Sequence, residues 1–467
     1  MKIGLVGPSY SDRSLPFDAQ RTINLYPVMD ETQQGKEVSA LQGTPGLLNF
    51  VTCGSGPSRG GFSATNGRAF IVSGNGFYEI FSNGTSTQWG TLTSGSSSIT
   101  MDENGSQLAV CDGGSVWIFT YATNAFVLVT SNIPVAGTIS FIDGYFVVNK
   151  VGTAQFYISN LYDGTTWQAL NFASKESSPD NLSTTVNAFG QLVLLGQQTM
   201  EIWNNTGNVL FPFQRISGAK IKQGCTAPYS AVSMDNSILW VGSDNRGAGI
   251  VYRLDGFVPT RISTHAIEYI LQQVPDLTVL RAYTYQQDGH TFYVLTGAGL
   301  NTTLVYDVST KLWHERAYLN ATGQFERHLG VFCIYAFGKQ LVGDRSNGNV
   351  YDMSLSYYDD NGSALKAQRI FTHICNEGKP LRAATLEIDF EAGVGTQTGQ
   401  GQNPTCVLQV SNDFARTWSP EYTSAIGAVG IYLWRAVWRK LGFGYSFTFK
   451  VSITDPVKRS ICGAYLT

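Results

Sequence analysis

The sequence has few charged residues, no excess of basic ones and no long apolar run. Only 14% of its 467 residues are charged, and the net charge is −3. Without a basic excess the chain has no field to hold a polyanion by counterion release, which excludes strong nonspecific nucleic-acid binding. No stretch reaches the roughly 20 apolar residues that cross a membrane or resembles a signal peptide. We therefore expect no membrane anchor and synthesis in a cytoplasm.

The sequence also lacks the common motifs of catalysis and metal binding. Its 7 cysteines are odd in number and form no Cys-x-x-Cys pair, and none of its 5 histidines has a second one at metal spacing. No Gly-x-Ser-x-Gly elbow or phosphate-binding Gly-Lys-Ser/Thr loop is present. We expect no metal, no cofactor and no catalytic residue. Four cysteines lie in apolar runs and are interpreted as buried thiols: Cys111, Cys333, Cys406 and Cys462.

Short apolar runs separated by glycine-bearing turns are abundant between Gly67 and Asp352. One unit of two runs and a turn occurs about seven times, for example over 68–81 and 107–119. The starts are roughly 40 to 50 residues apart, a period typical of propeller blades. One hairpin cannot cover its own apolar face, whereas a ring of stacked sheets can. We predict an all-β fold with a β-propeller of about seven blades, six to eight being compatible with the spacing.

The repeat period ends near residue 360, and the remaining strands predict a second unit. In 384–391, acidic and apolar residues alternate, which places Glu387, Asp389 and Glu391 on one face of a strand. Further strands are predicted over 405–410, 433–440 and 446–453. We divide the chain into an N-terminal arm (1–60), a propeller (61–362) and an appended C-terminal β-sandwich-like domain (363–467).

Two patterns in the C-terminal domain raise the question of catalysis. Ser411, Asp413, Thr417 and Trp418 match the Asp-box turn of sialidase-type propellers, with Ala415 in place of its glycine. We interpret this as a structural turn, with a glycosidase relationship as the alternative. A glycosidase needs two carboxylates about 5 to 10 Å apart. The face of Glu387, Asp389 and Glu391 is instead predicted to be solvated or to contact another subunit, with a calcium site as the alternative.

The most cationic stretch is 434–440. On a strand Trp434, Ala436, Trp438 and Lys440 would share one face, with Arg435, Val437 and Arg439 on the other. Packed indoles with solvated guanidinium groups are one interpretation. The second is an interface with another protein subunit, formed by Trp434, Arg435, Trp438, Arg439 and Lys440. The third is direct contact with DNA.

Short motifs at both ends and in the middle of the chain resemble those of one known protein family. Near the start they are Asn24-Leu-Tyr-Pro-Val28, Thr44-Pro-Gly46 and Pro57-Ser-Arg-Gly60, and in the middle 304–307 with Trp313. Together with 408–413, 433–435, 438–443 and 449–454 near the end, they resemble the packaged-DNA stabilisation proteins (tail hub) of short-tailed phages. The resemblance implies a virion tail protein, assembled in the host cytoplasm, that forms a ring thought to be a hexamer. It also implies binding to the portal adaptor, a tail needle and tailspikes, with only weak contact to the packaged DNA in its channel. The alternative is a carbohydrate-binding or sialidase-like propeller.

Overall fold

The computed structural model describes residues 1–32, 34–35, 37–93, 95, 97–244 and 247–467. Nearly all of its regular structure is β. Within these ranges, no helix is both long and apolar enough to cross a membrane. Five strands precede the first blade: β1 (Tyr10–Ser11), β2 (Ala19–Ile23), β3 (Leu25–Met29), β4 (Ser39–Gly43) and β5 (Gly46–Thr52).

The next sixteen strands form four antiparallel blades of four strands each. Blades 1 and 2 consist of β6 (Ser58–Ser63), β7 (Ala69–Ser73), β8 (Gly76–Ile80), β9 (Ser86–Thr91), β10 (Thr100–Glu103), β11 (Gln107–Cys111), β12 (Val116–Thr120) and β13 (Ala125–Leu128). Blades 3 and 4 consist of β14 (Ala136–Ile142), β15 (Tyr145–Lys150), β16 (Gln155–Asn160), β17 (Asp163–Ser174), β18 (Leu182–Ala188), β19 (Gln191–Gly196), β20 (Met200–Asn205) and β21 (Phe213–Ile221).

Three more blades follow. Blade 5 comprises β22 (Gly224–Cys225), β23 (Val232–Met234), β24 (Ser237–Asp244), β25 (Gly247–Asp255) and β26 (Val258–Arg261). Blade 6 comprises β27 (Arg281–Gln287), β28 (His290–Thr296), β29 (Thr303–Asp307) and β30 (Leu312–Leu319), with β31 (Phe325–Arg327) beside β30. Blade 7 takes β32 (Gly330–Ala336), β33 (Lys339–Asp344) and β34 (Asn349–Ser354) from this part of the chain.

Tight turns and one helix connect these strands. At Asp143-Gly144 and Asp288-Gly289 both residues have positive φ, the geometry of the hairpin turn that these dipeptides favour. Helix α1 (His265–Gln272) packs on blade 5, capped by the Thr264 side chain and with Ile267 buried. Two 3₁₀ turns cover Pro228–Ser230 and Leu277–Val279.

The propeller closes because strand β5 completes its last blade. The innermost strands contact one another in order around the ring, from β6 through β10, β14, β18, β23, β27 and β32 back to β6. Blade 7 has β5 as its outer strand, with Leu47 paired to Met353. The two ends of the repeat region therefore share one sheet, and the predicted all-β propeller is confirmed.

The remaining strands form a β-sandwich that also incorporates the N-terminal strands. They are β37 (Ala367–Ile370), β38 (Ile374–Cys375), β39 (Leu381–Phe390), β40 (Thr405–Ser411), β41 (Tyr422–Ala425), β42 (Ala436–Gly444), β43 (Ser446–Ile453) and β44 (Ser460–Leu466). Before them, β35 (Asp359–Asp360) and β36 (Ser363–Ala364) extend the sheet of blade 7 beyond β5. One sheet has the order β2-β37-β43-β40-β41 and the other β3-β4-β44-β39-β42. Their facing residues form one apolar core.

The predicted arm of residues 1–60 is thus divided between the two units. Strands β1 to β4 join the sandwich, β5 joins blade 7, and β6 already belongs to blade 1. Asn24 marks the division: its side-chain nitrogen donates to the carbonyls of Ala317 in blade 6 and Lys366 before β37, both at 2.8 Å. These pairings join residues about 300 positions apart, so no local sequence pattern reports them.

Candidate functional site

The predicted cationic strand is shorter than expected and begins only at Ala436. Trp434 and Arg435 lie in the preceding loop, so strand alternation does not place Trp434 beside Trp438. Lys440 has a φ of +62° opposite an irregularity in the pairing with β39, which interrupts the alternation at the other end. The five residues therefore do not form two regular faces.

Trp438 is directed into the sandwich core. Only 5% of its surface is exposed, and its indole nitrogen donates to the Tyr422 carbonyl at 2.8 Å. It belongs to the apolar cluster that also contains Leu386. The expectation that Trp438 forms an intermolecular contact is therefore corrected, because its apolar surface is already covered within this chain. Arg439 and Lys440 are both exposed.

The loop before β42 presents an apolar tip made of Ile431, Tyr432, Leu433 and Trp434. Tyr432 is 73% exposed and Leu433 is fully exposed. The loop is nevertheless well braced: the Trp434 indole nitrogen donates to the Ala425 carbonyl at 2.9 Å, and Ile431 N donates to Ala428 O at 3.0 Å. Contiguous apolar side chains held outward in this way are typical of interaction surfaces.

Acidic side chains next to the apolar tip are paired with cations. Arg435 lies 3.0 Å from an oxygen of Asp389 and 3.4 Å from one of Glu387, and Lys458 lies 2.8 Å from Glu391. The three carboxylates that the sequence places on one face thus take part in ion pairs. Among the described residues, no group of three or more His, Cys, Asp or Glu side chains is arranged to hold a metal.

The Asp-box-like turn is held by its own side chains. Asp413 accepts hydrogen bonds from the Thr417 hydroxyl at 2.6 Å, the Ser411 hydroxyl at 2.7 Å and the Thr417 backbone at 2.9 Å. These bonds hold the pKa of Asp413 well below its usual value. Ala415 has a φ of +64°, which explains the glycine of the sialidase motif at this place. Trp418 packs against Lys450, whose ammonium is 4.2 Å from the ring centre.

A second exposed apolar surface lies on the outside of blades 3 and 4, where sequence reasoning did not place one. This blade-edge patch consists of Leu161, Val209 and Leu210, which line a cavity of about 430 Å³. Val209 and Leu210 are almost fully exposed. The sequence does contain one indication of this patch, the apolar pair Val209-Leu210 directly after the polar turn 204–208. The patch itself could not be predicted, because Leu161 belongs to a different blade.

The family comparison identifies the two units separately. A model described as bacteriophage P22 Gp10, beta-propeller, matches residues 1–358. A second, described as bacteriophage P22 Gp10, beta-sandwich, matches residues 366–467.

The chain belongs to the P22 Gp10 tail hub family. Tail hub proteins of this family, the packaged-DNA stabilisation proteins, are structural parts of the phage tail and not enzymes. The chain is accordingly a virion component. The resemblance inferred from the terminal motifs is confirmed. No curated protein matches this tail hub chain significantly.

Two solved structures with a similar fold share little sequence with this chain. The extracellular domain of a putative one-component system from B. thetaiotaomicron is 9% identical, with a TM-score of 0.45 over 78% of this chain. The match covers 46% of that protein, so this chain spans less than half its length. The N-terminal domain of Nup159 is 10% identical, with a TM-score of 0.40 over 72% of this chain and 100% of that domain.

Proposed function

We propose that this chain is the hub of a short-tailed phage tail. It would bind below the portal-adaptor ring, close the DNA channel so that the packaged genome is retained, and provide attachment for the needle and tailspikes. The observation that carries this proposal is the family match over residues 1–358 and 366–467. A net charge of −3 suits a channel through which DNA must later slide without being gripped.

A ring of identical subunits requires two different, mutually complementary surfaces on each subunit. The apolar tip of the sandwich and the blade-edge patch of the propeller supply two such candidates. The sandwich is attached to blade 6 through β2 and to blade 7 through β35, whereas the patch lies on blades 3 and 4 across the ring. We assign the tip of one subunit to the blade-edge patch of the next, in a ring expected to contain six copies.

The cationic side of the apolar tip is our candidate for the adaptor contact. Trp434 and Arg435 lie in the braced loop, and Arg439 and Lys440 are exposed on the strand that follows. Tryptophan and arginine are the residues most enriched among interface anchors. Trp438 has no part in this surface because it fills the core.

Assembly of two single variants tests the ring contact. The purified chain is mixed with portal-adaptor rings and observed by electron microscopy and sedimentation. Leu433→Asp in the tip and Leu210→Asp in the blade-edge patch should each abolish ring formation, because each buries a charge in an apolar contact. Mixed together, the two variants retain one intact tip and one intact patch, so we expect dimers but no rings.

Val127→Asp is the control, because Val127 is exposed on β13 of blade 2 and outside both surfaces. Rings from either Leu433→Asp or Leu210→Asp would overturn the assigned contact while leaving the hub proposal standing. If the unmodified chain does not associate with adaptor rings, the hub proposal itself fails.

A further inference from the structure

The propeller encloses a central cavity to which all seven blades contribute. It measures about 410 Å³, a size suited to a small molecule, and is lined by the innermost strands. Its walls are rich in hydroxyl groups, from Ser98, Thr100, Thr138, Ser140, Thr184, Thr185, Ser233 and Thr284. A mouth of about 590 Å³ adjoins it, and Tyr229 lines both spaces.

Two arginine side chains converge at the mouth end of this cavity. Arg59 is the second residue of β6, the inner strand of blade 1, and Arg281 is the first residue of β27, the inner strand of blade 6. Arg59 is 3% exposed and donates to the carbonyls of Ser97 at 2.7 Å and Gly74 at 2.9 Å. Arg281 donates to the Arg59 carbonyl at 3.3 Å. The Arg281 side chain thus reaches from blade 6 past blade 7 to the backbone of Arg59 in blade 1, and both arginines line the cavity.

No carboxylate of the described residues balances the positive charge of Arg281 through an ion pair. Burial lowers the pKa of Arg281 to about 10, and the nearby guanidinium groups of Arg327 and Arg59 act in the same direction. Arg281 is half-buried, and a partly desolvated cation beside other cations is costly unless a counter-ion neutralises it.

Two carboxylates lie near the arginine pair, Asp112 and Asp102. One oxygen of Asp112 accepts the backbone N–H groups of Gly114 and Ser115, and the other is buried without a hydrogen-bond partner among the described residues. The charge of Asp112 attracts Arg59, so this single carboxylate offsets only one of the two guanidinium charges. Asp102, on the inner strand of blade 2, also lines the cavity. At the usual rise per residue it lies about 10 Å further along the cavity than the arginine pair. Its oxygens accept the N–H groups of Glu103 at 2.9 Å and Phe141 at 2.6 Å. The arginine end therefore remains the cationic end of the cavity.

We propose that this cavity binds a phosphate group between Arg59 and Arg281, either as inorganic phosphate or on a small phosphomonoester. The planar guanidinium fork matches the oxygens of a tetrahedral oxyanion. Thr138 pairs with Thr184 and Ser140 with Thr185, so a sugar carried by the phosphate would meet other lining hydroxyls, such as those of Ser233 and Thr284. Because the two arginines flank blade 7, a bound anion would tie blades 1 and 6 together at the place where the ring closes. The site is independent of the proposed ring of subunits.

Thermal unfolding in the presence of defined anions tests the site. Phosphate and sulfate should raise the melting temperature of the full chain above its value in sodium chloride of equal ionic strength. In Arg281→Gln we expect about ten- to hundredfold weaker phosphate binding by calorimetry, the value of one or two charge-assisted hydrogen bonds. Arg435→Gln, which removes an exposed arginine of the sandwich, should bind phosphate like the unmodified chain.

Two further measurements identify the ligand and guard against a variant that does not fold. Ribose 5-phosphate binding more tightly than inorganic phosphate, with ribose alone inactive, would assign a phosphomonoester; equal binding would assign the free anion. If Arg281→Gln is unfolded, phosphorus NMR of the unmodified chain should show phosphate line broadening that sulfate reverses and chloride does not. The proposal is overturned if phosphate acts no differently from chloride, or if Arg281→Gln responds like the unmodified chain.

Discussion

At the residue scale, Asp360 is the most strained charge at the junction between propeller and sandwich. It is 1% exposed, and neither carboxyl oxygen has a hydrogen-bond partner within the described ranges. Burial raises the pKa of Asp360 to about 7, even though Arg316 and Arg459 act in the opposite direction. Both arginines are themselves engaged with backbone carbonyls, Arg316 with Pro45 and Arg459 with Tyr358, each at 2.8 Å.

The raised pKa of Asp360 predicts that the free energy of unfolding depends on pH. Its folded-state pKa lies above the unfolded value, so its contribution is complete below about pH 4 and is lost as the pH rises through about 7. Asp360→Asn removes the ionisation and should raise the free energy of unfolding at pH 8, by up to roughly 4 kcal/mol, while changing little at pH 4. Urea unfolding of both proteins from pH 4 to 8 measures the difference.

Asp288→Asn provides the matched control, because Asp288 is exposed in a tight turn that accepts either residue. Its pH profile should follow that of the unmodified chain. If the free energy of unfolding of Asp360→Asn depends on pH as that of the unmodified chain does, the pKa of Asp360 is not raised by folding.

At the element scale, β5 decides whether the propeller is closed. It precedes blade 1 in the chain and pairs with β34 of blade 7. Its Leu47 side chain is completely buried, whereas the Leu48 side chain is 47% exposed. Leu47 packs in one apolar cluster with Tyr26, Phe292 and Tyr351, which join the sandwich hairpin to blades 6 and 7. One side chain of this strand therefore supports three parts of the molecule.

Adjacent leucines of β5 allow a closely matched comparison. Leu47→Ala leaves a cavity in this cluster and should lower the free energy of unfolding by about 3 kcal/mol. Leu48→Ala, one position along the same strand, should lower it by less than about 0.5 kcal/mol. Thermal and urea unfolding of both variants measure the difference, and equal losses would mean that β5 is not packed into blade 7 as described.

At the scale of the whole molecule, the sandwich depends on both ends of the chain. The Met1 amino group donates to the Leu466 carbonyl at 2.6 Å, and Leu466 N donates to the Met1 carbonyl at 2.8 Å. Ile3 and Leu5 belong to the sandwich core. Arg369 of β37, which is fully buried, donates to the carbonyl of Leu5 at 2.7 Å. The segment 366–467 therefore holds only part of the sandwich.

A rearranged fragment tests this dependence. Residues 366–467 alone should expose the faces that β2, β3 and β4 cover and should not unfold cooperatively. Joining residue 467 to residue 1 through a short glycine-rich linker, in a fragment 366–467 followed by 1–45, should restore a cooperative transition because the two ends are adjacent. Circular dichroism and heat-induced unfolding compare the two fragments. Cooperative unfolding of 366–467 alone would contradict the expectation.

The candidate surfaces were only partly predictable from the sequence. The stretch 434–440 indicated an interface, and Trp434, Arg435, Arg439 and Lys440 are indeed exposed. The sequence could not show that Trp434 is exposed whereas Trp438 is buried, because the start of β42 at Ala436 depends on its pairing with β39. The blade-edge patch and the arginine pair of the cavity were missed, since each combines residues that are remote in the sequence.

The sequence by itself determined the repeating blades, the turns and the family. These depend on alternation, on dipeptides that accept positive φ and on short motifs, all of which act within a few residues. Only the tertiary structure decided that β5 closes the ring, that β2 to β4 complete the sandwich and that Arg59 and Arg281 meet at one mouth. The physical reason is that an edge strand accepts any partner of suitable shape, so the choice is made by the packing of the whole chain.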